Sequence, residues 1–193
     1  MKLILKSTGY VVVLTILLGG VYPALVTAAA HLFWADKADG SFVTGPHGRV
    51  VGSSLIGQNF SGVAYLHPRP SAAGKEGYDA TASTGTNLGP TSADLAKSIS
   101  AAVAAARADR PEDSRPVPAD LVTSSGSGLD PHLSPEAARW QALRIALARK
   151  ATEAQVLAVI ERDVQARTLG LLGEPRVNVL LTNLDLDRSL PVR

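Results

Sequence analysis

The chain contains no cysteine. A disulfide framework, a thiolate nucleophile and a cysteine-based zinc site are therefore excluded. The chain also has little net positive charge. Lys2 and Lys6 account for the whole formal net charge of +2, and the rest of the chain is neutral. Binding to nucleic acid depends largely on neutralising phosphates, so the composition gives no electrostatic case for a nucleic-acid partner.

Common catalytic and metal motifs are also missing. No G-x-x-x-x-G-K-[ST] phosphate-binding loop occurs. Ser127, Asp130 and His132 are the residue types of a hydrolase triad, but they crowd into one turn and do not match G-x-S-x-G, so we interpret them as turn-forming. His47, His67 and His132 lack an H-x-x-x-H spacing, which favours exposed loop histidines over metal ligands. These residues predict no catalytic and no metal site.

Charged residues are absent from one long stretch, residues 7–35. This apolar run exceeds the about 20 residues that cross a bilayer. Its twelve Val, Leu, Ile and Phe side chains between positions 11 and 33 contribute on the order of 5 kcal/mol toward insertion. Lys2 and Lys6 precede the run, so the positive-inside tendency predicts a cytoplasmic N-terminus at residues 1–6, a transmembrane helix at 7–35 and an extracytoplasmic domain at 36–193.

A cleaved secretory signal is the alternative for this segment, because small residues follow Pro23. The run is longer than a usual signal core, and Phe33 and Trp34 resemble an interfacial anchor, which favours a retained helix. Both interpretations export the rest of the chain.

The exported part predicts a mixture of helices and strands. We expect strands within 49–60, at 63–66, at 120–123 and at 177–187. Residues 71–90 have loop composition. Helices are expected from a cap at Thr91 to about Asp109, from Ser134-Pro135 to about Lys150, and from a capping box at Thr152 and Gln155 to about Gly170. Without a regular βαβ repeat, this order predicts an α+β fold.

The predicted helix from Ser134 to about Lys150 is expected to pack against a neighbouring element. Trp140, Leu143 and Leu147 follow one another at helical spacing and predict an apolar face. Ala138, Ala142 and Ala146 would let another element approach closely.

Several segments together resemble the C subunit of the Kdp potassium-transporting ATPase, a family of single-span accessory subunits of bacterial potassium pumps. The matching segments are GSSLIGQNF (52–60), YLHPRPSA (65–72), NLGP (87–90), DLVTSSGSGLDP (120–131), QALRIALAR (141–149) and PRVNVLLTNLDLD (175–187). Within them, the candidates for structural or partner-contact roles are Gln58, Arg69, Asn87, Ser127, Asp130, Gln141, Arg144 and Asn178.

The resemblance implies a complex in the bacterial inner membrane with a potassium-binding A subunit, a P-type ATPase B subunit and a small F peptide. It also implies a non-catalytic role in assembly and stability, with an effect as a catalytic chaperone that raises the ATP affinity of the B subunit. No directly bound cofactor is expected, and ATP enters through the B subunit. An extracytoplasmic domain conflicts with direct contact to ATP, which a P-type ATPase binds inside, so we expect an indirect influence.

The membrane helix contains small residues suited to packing against partner helices, namely Gly19, Gly20 and Ala24. Alternatively, these small residues merely accommodate a kink at Pro23, and the sequence favours neither explanation over the other. Two other functions stay open from sequence, a membrane-anchored exported hydrolase and a freestanding binding module.

Overall fold

The computed structural model describes residues 1–45, 48–111 and 113–192. The chain divides into two compact units, Met1–Val43 and Thr44–Arg193. His47, one of the histidines considered above, lies outside the described residues.

The first unit is built on one long helical stretch, Lys2–Ala38, which is long and apolar enough to cross a membrane. It consists of α1 (Lys2–Ile16), a π-helical turn (Leu17–Val21) and α2 (Tyr22–Ala38), and none of these residues is buried within the chain. The π turn has a local cause. Pro23 has no N–H for the carbonyl of Gly19 four residues earlier, and its ring crowds that carbonyl, so the turn widens.

Strand β1 (Phe42–Thr44) covers the boundary between the units, and β2 (Val50–Ser53) follows. The expected strand within 49–60 is therefore limited to four residues. The expected strand at 63–66 is wrong, because these residues form turns and irregular backbone. Residues 71–90 contain no helix or strand, which confirms the predicted long loop.

Helix α3 (Ala93–Ala108) begins at Ser92, whose hydroxyl accepts a hydrogen bond from the Leu95 N–H. The predicted helix is confirmed, but its cap is one residue later than Thr91. The expected strand at 120–123 is wrong, since a short 3₁₀ helix, Ala119–Leu121, stands there.

Strand β3 (His132–Leu133) leads into α4 (Pro135–Trp140), which Ser134 caps as predicted by accepting from the Ala137 N–H. A turn at Gln141 separates α4 from α5 (Ala142–Arg149), so the expected single helix is two short ones. Lys150 ends α5 in the left-handed conformation, with φ of 55°.

The predicted apolar face of this region is only partly correct. Trp140 is buried, but Leu147 is 73% exposed, because the turn at Gln141 rotates the following helix. Ala138, Ala142 and Ala146 are buried, as expected for close approach.

Helix α6 (Glu153–Arg162) has the predicted capping box between Thr152 and Gln155. It ends before Asp163 rather than near Gly170, and strand β4 (Val164–Gln165) follows. Strand β5 (Arg176–Asn178) occupies only the start of the expected closing strand. The remainder is α7 (Val179–Ser189), capped by the Asn178 side chain, so the prediction of a strand to residue 187 is wrong.

The three short strands form an antiparallel sheet in the order β3-β5-β4. Val177 is central, since it pairs with Leu133 on one side and Val164 on the other. The core lies between this sheet and helices α4 to α7. Its buried members are Leu66, Leu133, Ala137, Ala138, Ala142, Ile145, Ala146, Val156, Val159, Ile160, Val177, Val179 and Leu186. The domain is thus a mixture of helices and sheet, which confirms the predicted fold class.

Candidate functional site

Residues 63–71 form an irregular segment, and residues 67–71 of it line a cleft in the domain. Backbone outside regular structure needs other partners when it is buried. At Leu66, which is fully buried, a single carboxamide supplies them. Asn183 accepts from the Leu66 N–H at 2.7 Å and donates to the Leu66 carbonyl at 3.1 Å.

Gln141 repeats this arrangement at the next residue. Its Oε1 accepts from the His67 N–H at 2.8 Å, and its Nε2 donates to the His67 carbonyl at 3.0 Å. Gln141 stands at the turn between α4 and α5, so the break in the predicted helix directs this side chain at the segment. The backbone N–H and carbonyl groups of residues 66 and 67 are therefore paired as in a β-sheet, but their partners are side chains instead of a neighbouring strand.

Two arginines of α5 complete the attachment. Arg144 donates to the carbonyls of Val63 at 2.6 Å and Tyr65 at 3.1 Å. Arg149, whose side chain is fully buried, donates to the Ala64 carbonyl at 2.7 Å and lies 5.0 Å from the Tyr65 ring centroid. Five consecutive residues, 63–67, thus have backbone groups bound by side chains of α5, α7 and the Gln141 turn.

Both arginines also form ion pairs. Arg144 lies 2.9 Å from Asp109, and Arg149 lies 2.9 Å from Asp187. The Tyr65 hydroxyl donates to the other oxygen of Asp187 at 3.2 Å. The arginine side chains are 9% and 0% exposed, whereas both acid partners reach solvent, so loss of either acid would leave a buried cation uncompensated.

Arg69 connects the segment to the Gly/Ser turn at 124–128. Its guanidinium lies 3.2 Å from Asp130 and 3.9 Å from Asp120, and it donates to the Thr123 carbonyl at 3.3 Å. Burial acts to raise the pKa of Asp130, but hydrogen bonds within the His132 turn and the charge of Arg69 outweigh it and lower that pKa. The carboxylate is therefore held in its charged form.

The Gly/Ser turn is packed against the same segment. Ser71 donates through its hydroxyl to the Gly128 carbonyl at 2.6 Å and accepts from the Tyr78 N–H at 2.9 Å. Gly128 has φ of 66°, and a Cβ there would lie 2.6 Å from the Thr84 carbonyl. Only glycine fits at this contact.

The cleft beside the segment has a volume of about 620 Å³. Aromatic, cationic and amide side chains line it, including Phe60, His67, Arg69, Tyr78, Trp140 and Gln141. Burial and the charge of Arg144 lower the pKa of His67, while burial and Asp130 raise the pKa of Tyr78 to about 12. The cleft thus presents a neutral imidazole and a neutral phenol. Within the described ranges, no three His, Asp or Glu side chains form a potential metal site.

The Ser127 and Asp130 side chains stabilise a turn, in which His132 takes part through its backbone N–H. Ser127 accepts from the Leu129 N–H at 3.1 Å, and Asp130 accepts from the His132 N–H at 3.0 Å. These contacts support the turn-forming interpretation over a triad. The expectation of exposed loop histidines is wrong, because His67 is half-buried with Nε2 3.0 Å from the Gly62 carbonyl, and His132 is half-buried in β3.

The remaining candidates lie apart from the 63–71 segment. Gln58 donates to the Val51 carbonyl at 2.8 Å, and Asn178 donates to the Ser54 carbonyl at 2.8 Å while capping α7. Asn87 is exposed with φ of 53°. Gln58 and Asn178 thus have structural roles, and a part in partner contact stays a prediction for all three residues.

Sequence reasoning missed Asn183, Arg149 and Tyr78. Asn183 and Arg149 belong to segments 175–187 and 141–149, but nothing local marks a polar residue that binds backbone more than 80 positions away. Asn183 was hidden by the strand prediction, since a polar residue in an alternating run is expected to face solvent. Tyr78 falls in a stretch of loop composition, where its hydroxyl donates to the Arg69 carbonyl at 2.8 Å.

Within the described residues, one N-terminal helix is long and apolar enough to cross a membrane, and a mixed helix-and-sheet domain follows it in the chain. This arrangement fits the class of membrane-associated proteins with a single N-terminal helix. The family model described as "KdpC: K+-transporting ATPase, c chain" matches residues 4–188. The chain belongs to this family and is thus a C subunit of a potassium-transporting ATPase.

Individual relatives agree along nearly the whole chain. The potassium-transporting ATPase KdpC subunit of Myxococcus xanthus is 56% identical over 177 residues, covering 92% of this chain and 83% of the relative. That of Nitratidesulfovibrio vulgaris is 50% identical and covers 97% and 94%, respectively. The protein from Koribacter versatilis is 46% identical and covers 99% and 97%.

Proposed function

We propose that this chain is a non-catalytic accessory subunit that helps to assemble and stabilise the potassium pump and biases the conformations of its partners. Its helix packs against partner helices within the bilayer, and its domain lies on the extracytoplasmic side. The partners implied by the family are the potassium-binding A subunit, the P-type ATPase B subunit and the small F peptide.

The observation that carries this proposal is the long apolar helix Lys2–Ala38, in which no residue is buried. A Cβ added at Gly19 or Gly20 meets nothing within 4 Å. Helices associate in membranes through close packing at small residues, so this glycine surface suits a neighbouring helix. The π turn at the same place supports the idea, since such turns frequently occur at functional positions.

The distribution of charge supports the proposed orientation. Lys2 and Lys6 precede the apolar helix, which favours a cytoplasmic N-terminus. A domain on the opposite side does not reach nucleotide bound in the cytoplasm. Any increase in the ATP affinity of the B subunit then arises because this chain binds one conformation of its partners more tightly than another.

The test compares two sets of glycine variants in the complete complex. Replacing Gly19 and Gly20 together with Leu is expected to release the chain from the detergent-purified complex and to abolish potassium-stimulated ATPase activity. Gly9→Leu is the control, because Gly9 lies in the same helix and also has open space around a Cβ, but lies outside the π turn. Unchanged co-purification of the double variant would contradict packing at the glycines.

A further inference from the structure

Asp163 is a largely buried carboxyl between the end of α6 and the start of β4. Its side chain is only 14% exposed. Its Oδ2 atom is buried and has no hydrogen-bond partner among the described residues. An unpartnered carboxylate oxygen is costly to bury, and a bound proton removes much of that cost by neutralising the charge.

Thr182 of α7 is a second buried group without a partner at the same place. Its side chain is fully buried, and within the described part of the chain its hydroxyl oxygen forms no hydrogen bond. This hydroxyl is near enough to Asp163 to influence the pKa of the carboxyl. It can donate to an ionised Asp163 or accept from a protonated one, so the surrounding charges decide which form is favoured.

Asp163 shares its counter-charge with a second carboxylate, Asp185, one turn after Thr182 on α7. The Arg162 guanidinium lies 3.5 Å from Asp163 Oδ1 but 3.0 Å from Asp185 Oδ2. Arg188 lies 3.0 Å from the other oxygen of Asp185. Arg162 is also 57% exposed, so water screens its charge. The buried carboxyl therefore has the weaker ionic contact of the two.

The environment of Asp163 favours its neutral form. Burial and the charge of Asp185 raise the pKa of Asp163, and the Thr182 hydroxyl and Arg162 offset this only in part. Asp163 also follows the last residue of α6, where the negative end of the helix dipole disfavours a carboxylate. Other charged groups on the packed elements have partners elsewhere: Glu161 pairs with Arg139 of α4, and Arg176 of β5 donates to Gln165.

We propose that Asp163 is a proton-binding site that makes the contact between α6 and α7 sensitive to pH. When the carboxyl takes up a proton from solvent, its charge is lost and its O–H donates to the Thr182 hydroxyl, which holds the two helices together. When it releases the proton, two carboxylates share one exposed arginine and the contact weakens. This proposal does not depend on the proposed function, because it concerns the folded domain alone.

Helix α7 connects this site to the irregular segment 63–71. The same helix carries Asn183, which binds the backbone of Leu66, and Asp187, which pairs with Arg149. A change in how firmly α7 is held at Asp163 therefore also reaches the residues that bind the segment.

Replacing Asp163 with Asn removes the charge and keeps the shape. A carboxyl whose folded pKa is raised adds stability below its unfolded value of about 3.9, and this stability is lost as the pH rises through the folded pKa. We expect full-length Asp163→Asn in detergent to melt at least about 2 °C above the wild type at pH 7.5. The difference should shrink as the pH falls through the folded pKa of Asp163.

The control is Asp94→Asn, at a carboxylate that is 80% exposed, and it is expected to give no increase in melting temperature. An Asp163→Asn variant that melts below the wild type at pH 7.5, or does not fold, would show that the domain needs the charge, and this result would overturn the proposal.

A double-mutant cycle tests the partner of Asp163. Asp185→Asn removes the charge that disfavours ionised Asp163, so adding Asp163→Asn in that background should raise the melting temperature less than it does in the wild type. An equal gain in both backgrounds would contradict the coupling of the two carboxyls.

Hydrogen exchange locates the effect. At pH 7.5, amides of 179–189 and of Leu66 are expected to exchange more slowly in Asp163→Asn than in the wild type, because α7 is held more firmly. Both proteins are compared at one pH, so the intrinsic exchange rates of these distant residues are the same. Unchanged or faster exchange in α7 would overturn the proposal.

Discussion

Asn183 binds both backbone groups of Leu66, although the two residues are 117 positions apart in the chain. The carboxamide thereby pairs with the backbone N–H and carbonyl of an irregular segment, as a neighbouring strand would in a sheet. Gln141 does the same for His67. The fold therefore depends on a few polar side chains inside an otherwise apolar core.

Replacing Asn183 with Ala removes both hydrogen bonds and leaves a buried donor and a buried acceptor unpaired. We expect a loss of about 3 kcal/mol in the free energy of unfolding, since each unsatisfied buried group costs about 1–3 kcal/mol. Denaturant titration of the full-length chain in detergent measures it. Lys97→Ala, at a side chain 81% exposed, is the control and should change stability by less than about 0.5 kcal/mol. A loss as small as that for Asn183→Ala would show that the segment does not depend on this contact.

Gly126 and Gly128 lie in the same turn but differ in the space around them, so replacing each one tests whether the turn needs glycine for steric reasons. Gly128→Ala places a Cβ 2.6 Å from the Thr84 carbonyl at φ of 66°, and we expect a loss of at least about 2 kcal/mol. Gly126→Ala meets nothing within 4 Å and is expected to be neutral. Melting temperatures of both variants check the prediction, and equal shifts would contradict the close approach seen at Gly128.

The lowered pKa of Asp130 predicts a dependence of stability on pH. A carboxyl whose folded pKa lies below its unfolded value of about 3.9 adds stability above that value, and this part is lost as the pH falls through the folded pKa. Asp130→Asn should therefore lower the free energy of unfolding at neutral pH. The difference in this free energy between the variant and the wild type should become smaller in acid. Urea midpoints from about pH 2 to pH 7 measure this. Asp94→Asn, at an exposed carboxylate, is the control. A constant difference at every pH would exclude the charge of Asp130 as the cause.

Local signals in the sequence predicted local structure well. Ser134 with Pro135, and Thr152 with Gln155, mark helix starts because the capping contacts involve residues within three positions of each other. The fold class followed from these helices and from the absence of a βαβ repeat.

The errors came where polar residues face inward. Residues 179–186 bury Val179, Leu180, Thr182, Asn183 and Leu186, which is a helical spacing. Thr182 and Asn183 interrupt the apolar pattern, so the run resembles a strand with an exposed polar face. The attachment of residues 63–67 was equally out of reach, since its partners are about 74 to 117 positions away and no local rule pairs them.

The side of the membrane on which the domain lies tests the account most directly. The chain has no cysteine, so Leu3→Cys and Lys97→Cys each introduce a single site while keeping Lys2 and Lys6. Both positions are well exposed in the structure. In intact spheroplasts, a membrane-impermeant maleimide is predicted to label Lys97→Cys, and to label Leu3→Cys only after permeabilisation. The reverse pattern would place the domain in the cytoplasm and contradict an indirect influence on the ATPase.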